Sequence, residues 1–297
     1  MNGIFSEMQQ APSNLFDAKP SRGASAMSFK KYLLLVFFFL ITGAVGFMVL
    51  MRSEEGAPPK MVHIPSGPFI MGSDEVGDDE TKGELGNKKP FYLDEHPRRM
   101  LSIADYYIDR FEVTNEDYAR FVREKRRNPP KYWGGPRYKT GESLLPVVEV
   151  NWYEARDYCR WLGKRLPTEA EWEKAARGPN GNIYVWGNIF DGTKANVSAG
   201  NHGSIMMIGR FSHDKSDYDV YDMNGNVMEW TADWYKAFPG GDYQSDDFGE
   251  KFKVAKGDAY GESGHYALSI FSRLPYRQNV EPLARLPFLG FRCVKDL

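Results

Sequence analysis

Residues 221–230 (YDMNGNVMEW) set two carboxylates, Asp222 and Glu229, seven residues apart around a glycine-bearing turn. Calcium takes about six to eight oxygen ligands, mixing carboxylates with backbone carbonyls, so a turn of this kind can wrap the ion. The same side chains can instead cap backbone amides within the turn. A second candidate lies in residues 256–271 (KGDAYGESGHYALSIF), where Glu262 and His265 stand three apart. Such a pair can donate and accept a proton, or can stand solvated in a loop. His63, His96, His202 and His213 show no HExxH or paired spacing, so zinc and non-haem iron lack a case. Two cysteines, Cys159 and Cys293, exclude a disulfide framework and a Cys-rich zinc site. No Walker loop, dinucleotide fingerprint or G-x-S-x-G elbow occurs.

These residues need a body to position them. The chain has 297 residues, 42% hydrophobic and 26% charged, which excludes intrinsic disorder. A net charge of −2 gives no electrostatic case for nucleic acid. Seven Trp, 17 Tyr and 19 Phe beside 29 Gly and 18 Pro describe a loop-rich body pinned by rings.

Residues 32–51 (YLLLVFFFLITGAVGFMVLM) carry no charge. A helix of this length spans about 30 Å, the thickness of a bilayer core. The run is longer than a signal-peptide core and lacks a small-residue cleavage site, which favours an uncleaved anchor. Lys19, Arg22, Lys30 and Lys31 precede it; Arg52 and Lys60 follow. This bias places residues 1–31 in the cytoplasm as a flexible tail. The expectation is therefore a single-pass protein of a bacterial inner membrane, with a linker over 52–60 and a periplasmic domain over 61–297.

In that domain MVHIPSGPFIMGS predicts two short strands hinged at residues 65–67, and RMLSIADYYIDRFEVT predicts further strands. Thr114 can cap a helix over 115–123. A second helix follows Asn151, with Ala155, Tyr158, Cys159 and Leu162 on one face and Gly163 at its end. Thr168 and Glu171 form a capping box for a third, which Gly178 closes. Loops, turns and short strands complete a single mixed α and β domain without internal repeats.

Residues 165–178 (RLPTEAEWEKAARG), 146–155 (PVVEVNWYEA), 111–121 (FEVTNEDYARF), 221–230 (YDMNGNVMEW) and 290–293 (GFRC) together resemble the formylglycine-generating enzyme family, the sulfatase-modifying factors. The likeness covers about residues 61–297. It implies an α+β fold, a compact loop-rich domain related to C-type lectins. Each of these motifs can also be read as scaffold: Trp172 and Ala175–Ala176 suit a packed helix face.

The resemblance implies calcium held by the side chains of Asp222 and Glu229 and the backbone carbonyls of Gly225 and Val227. It implies a second calcium site beginning at Asn196 and Val197, whose remaining ligands fall where this sequence is short. It also implies a disulfide between Cys159 and Cys293, which a periplasmic setting permits; two separate buried thiols are the alternative.

The family's reaction uses copper and two cysteines five residues apart. Those positions here are Glu262 and Ala267, and the preceding glycine and serine have become Asp258 and Ala259. A carboxylate and a methyl group cannot replace two thiolates on copper(I). The expectation is a domain that has lost the copper oxidase site and serves as a binding or accessory subunit of a membrane-associated protein complex. The alternative is an active oxidoreductase with a divergent site that modifies a protein or small thiol. Tyr132–Trp133, Trp234–Tyr235 and Tyr276–Arg277 are candidate protein-contact residues.

Overall fold

The computed structural model describes residues 61–76, 92–200, 202–261 and 269–297. The expected tail, anchor and linker over residues 1–60 lie outside the described residues, as do Glu262, His265 and Ala267. Among the described residues no helix is long and apolar enough to cross a membrane.

Strands β1 (Met61–Ile64) and β2 (Gly67–Met71) leave the hinge at residues 65–66 in different directions. They do not pair with each other. β1 pairs antiparallel with β4 (Tyr106–Asp109), and β2 with β3 (Arg99–Ile103). The other edge of β4 receives the C-terminal strand β9 (Val294–Asp296), so the two ends of the described domain share one three-stranded sheet.

Three helices follow the capping signals. Thr114 Oγ1 accepts from Asp117 N at 3.2 Å and starts α1 (Asn115–Lys125), two residues longer than its sequence pattern suggests. Asn151 and Glu154 cap each other's backbone at the start of α2 (Trp152–Trp161). Thr168 and Glu171 do the same for α3 (Glu169–Arg177). Reciprocal capping of this kind satisfies two amides that the helix itself leaves unpaired.

The second half of the domain builds a four-stranded sheet in the order β7–β6–β5–β8. Its members are β5 (Met228–Trp234), β6 (Lys253–Lys256), β7 (Gln278–Val280) and β8 (Leu289–Gly290). β5 and β8 run parallel; the other neighbours run antiparallel.

One core joins α1 and α2 to this sheet around Tyr118, Tyr158, Trp230 and Phe291. The rings of Tyr118 and Tyr158 stack at 5.6 Å, and Phe291 meets Tyr158 edge-on. A second core packs Trp172 and Ala175–Ala176 of α3 against β1 and β4. A disulfide joins Cys159 on α2 to Cys293, just before β9, across 134 positions of sequence.

Candidate functional site

The turn after Tyr221 runs through two left-handed residues, Asp222 (φ 58°) and Asn226 (φ 72°), a conformation that Asn and Asp tolerate better than most residues. At Gly225 a Cβ would lie 2.5 Å from the Asn196 carbonyl oxygen, so that position has room only for glycine. The close approach lets Asn226 N donate to Asn196 O at 2.7 Å. The two expected calcium segments therefore abut.

Their side chains have unequal freedom. Glu229 is fully buried, and the Arg292 guanidinium grips it through Nε (2.7 Å) and Nη2 (2.6 Å). Trp172 Nε1 adds a third donor at 2.9 Å. Arg292 directs its remaining donors at the carbonyls of Asp109, Arg110 and Tyr221. Three donors therefore reach the two oxygens of Glu229, and Oε1, which accepts only from Arg292, keeps one acceptor site. Asp222 accepts from Gly209 N at 2.6 Å. Val227 is buried, and its N–H donates to Glu112 Oε1 at 3.2 Å. Asn196 Oδ1 is buried with no hydrogen-bond partner among the described residues, and an orphaned acceptor of this kind fits a cation.

Glu112 and Asp214, which the sequence alone did not single out, complete the picture. Burial, with Asp222 and then Glu229 nearby, pushes the Glu112 carboxyl well above its usual range. Burial and Asp222 do the same to Asp214. Burial also pushes Asp222 up to about 6. Arg292 is the cation common to all three, so carboxyl groups outnumber cations here and burial favours their protonated forms. Among the described residues no three acidic, histidine or cysteine side chains converge as a metal-binding group.

The second region is the described beginning of the 256–271 segment. Lys256 ends β6 fully buried, donating to Glu173 Oε2 (3.1 Å) and the Pro275 carbonyl (2.9 Å). Asp258 is also buried. Its Oδ2 accepts from Ser198 N (3.1 Å), Ser198 Oγ (2.9 Å) and Ser272 Oγ (2.6 Å), and its Oδ1 accepts from Ala259 N (2.7 Å). Among the described residues no cation pairs with it, and burial raises its pKa. Ala259 is enclosed in the first core. Asp258 therefore ties three stretches of chain together where the resembled family has a glycine.

The candidate protein-contact residues fall largely inside the domain. Trp133 is buried, its Nε1 donating to Asn115 Oδ1 at 3.0 Å, and Tyr132 donates to the same oxygen. Tyr235 is buried and donates to Asp94. Arg277 forms a two-bond pair with Glu169. His63, His96 and His202 lie on separate partners: Asp105, the Glu75 carbonyl and the Phe211 ring.

Residues 46–297 match the sulfatase-modifying factor enzyme 1-like domain. The chain belongs to this family. It is 30% identical over 290 residues to the mouse (Mus musculus) inactive C-alpha-formylglycine-generating enzyme 2, covering 80% of this chain and 86% of that one. It is 28% identical over 295 residues to the formylglycine-generating enzyme of Bos taurus, covering 80% and 75%. Relatives named active and inactive are thus about equally distant, so identity alone does not decide activity. Among solved structures, PvdO from Pseudomonas aeruginosa superposes with a TM-score of 0.59 at 26% identity, covering 80% of this chain and 94% of that one. Treponema denticola variable protein 1 gives 0.60 at 21% identity, covering 80% and 95%, and shows the shared fold.

Proposed function

We propose that this member of the sulfatase-modifying factor family is a non-oxidase: a membrane-anchored, periplasm-facing domain that binds a protein partner as an accessory subunit. One observation carries the reading. The chain has two cysteines, and both belong to the bond between residues 159 and 293. No thiolate remains for copper(I), which favours soft sulfur ligands. Asp258 adds support, because a buried carboxylate occupies the place of a family glycine and is bound to Ser198 and Ser272. The printed name of the mouse relative points the same way. The uncharged run at 32–51 supports the anchor.

The test is a copper(I) titration of the full chain against a competing chelator, paired with a mass-shift assay on a sulfatase-type cysteine peptide. The expected result is neither tight copper binding nor formylglycine. Formylglycine in the peptide, or stoichiometric copper at sub-nanomolar affinity, overturns the reading in favour of a divergent oxidase.

Calcium belongs to the same proposal as a structural ion. The excess of buried carboxyl groups over cations and the orphaned Asn196 oxygen support Asn196 and Asp222 as side-chain ligands. Glu229 then serves as the counter-ion of Arg292. At a hundredfold excess over its Kd, bound calcium stabilises the folded chain by about 2.7 kcal/mol. Equal melting temperatures in calcium and in chelator remove the ion from the proposal.

A further inference from the structure

The β2–β3 hairpin, the N-terminal end of α3 and the end of β5 enclose a cleft of about 410 Å³. Its size is that of a residue-sized ligand site. Met71, Leu101 and Phe238 supply apolar walls.

Arg99 is the unusual group in this cleft. Its guanidinium carbon lies 3.7 Å from the centre of the Phe238 ring, and among the described residues Nη2 reaches only the Met71 sulfur, at 3.4 Å. Nη1 is buried without a hydrogen-bond partner, and among the described residues no carboxylate pairs with the side chain. Burial lowers its pKa. Arg99 is half-buried and feels Glu169 and Glu173 without pairing with either, so its fork keeps donors that an anionic ligand can fill.

The other charges around the cleft are already engaged. Arg277 holds Glu169 at 2.6 and 3.0 Å. Asp233 accepts the Glu169 amide at 2.6 Å. The Lys253 ammonium lies between the rings of Trp152 and Trp234, 4.0 and 3.8 Å from their centres, and donates to the Ala232 carbonyl. The field at Arg99 is therefore positive but flanked by two carboxylates. A dianion such as phosphate meets repulsion there, whereas a single carboxylate meets a planar fork of matching geometry.

We propose that this cleft binds a monocarboxylate carried on an apolar or aromatic group, with the Arg99 guanidinium as its ion partner. Two sources share this chemistry, the chain-terminal carboxylate of a peptide and a free organic acid. The inference does not depend on the loss of copper chemistry, because the cleft needs none of the positions at which that loss is read.

The test is calorimetric titration of the full chain with 3-phenylpropanoate and with a tripeptide ending in phenylalanine, each beside its carboxamide. The acids should bind at least about tenfold more tightly than the amides, the value of one charge-assisted pair. Tighter binding of the peptide assigns the site to chain termini, and tighter binding of the small acid assigns it to free acids. Arg99→Met should abolish the preference for acid over amide, and Arg99→Lys should retain part of it, with melting curves establishing that both variants fold. Equal binding of acid and amide by the unaltered chain overturns the proposal. So does an unchanged preference in folded Arg99→Met, or no binding at about 10 mM acid.

Discussion

Glu229 and Asp258 are both buried carboxylates, yet the domain keeps them in opposite ways. Glu229 has a guanidinium on both oxygens and an indole N–H besides. Among the described residues Asp258 has no cation, only two hydroxyls and two backbone amides. The first arrangement welds β5 to the residues before β9 and to α3; it belongs to the scaffold. The second lies where the resembled family keeps a small residue before its reactive cysteines. The difference teaches that one domain can keep a buried carboxylate either by an ion pair between distant segments or by converging hydroxyl and amide donors.

The largest expected effect comes from breaking the ionic frame. Arg292→Met leaves Glu229 charged and buried, with Glu112 and Asp222 close enough to repel. Loss of one partner from a buried pair costs about 3–5 kcal/mol. The denaturant midpoint should fall accordingly at an unchanged slope. A loss below about 1 kcal/mol would mean that Glu229 finds another partner or a proton, and the contrast with Asp258 would dissolve.

Asp258→Gly restores the small family residue and tests the other side of the contrast. It strands the Ser198 and Ser272 hydroxyls and the Ser198 amide, but it also removes a buried charge. Stranded donors cost about 1–3 kcal/mol, so the expected loss lies in that range and below that of Arg292→Met. Asp258→Asn, which keeps an acceptor and drops the charge, should cost less than the glycine. A stability gain in Asp258→Gly would show that the tie is dispensable.

Much of the frame was legible because its signals are local. Thr168 and Glu171 are three apart in sequence and meet as a capping box, and the apolar face of α2 can be read from residues 155–159. Strand pairing was less legible. The sequence shows β1 and β2 as two hinged strands but not their partners, which lie among residues 99–109. The candidate site was least legible. Arg292 stands inside a quoted motif, yet its grip on Glu229 spans 63 positions and leaves no periodic trace. Ser198 and Ser272 are ordinary loop serines until Asp258 draws them together. The surplus of buried acid emerges only when Glu112, from the segment before α1, arrives beside Asp222.

Glu95 sharpens the comparison because it stands between the two cases. It is fully buried; Arg273 Nη2 reaches its Oε2 at 3.0 Å, and its Oε1 has no hydrogen-bond partner among the described residues. Burial outweighs Arg273 and pushes its pKa from 4.5 up to about 7. The folded state then holds a proton that the unfolded chain releases, so stability falls as pH rises from 4.5 to about 7 and levels off above. Glu95→Gln cannot titrate and should make this slope shallower by the share of Glu95, while Glu112, Asp214 and Asp222, which burial also raises, keep the remainder. Urea midpoints across that window read the difference directly. If the slope is unchanged in Glu95→Gln, half a partner suffices to keep a buried carboxylate ionised here. Glu95 would then belong with Glu229, and the cation-free state of Asp258 would stand alone among the three.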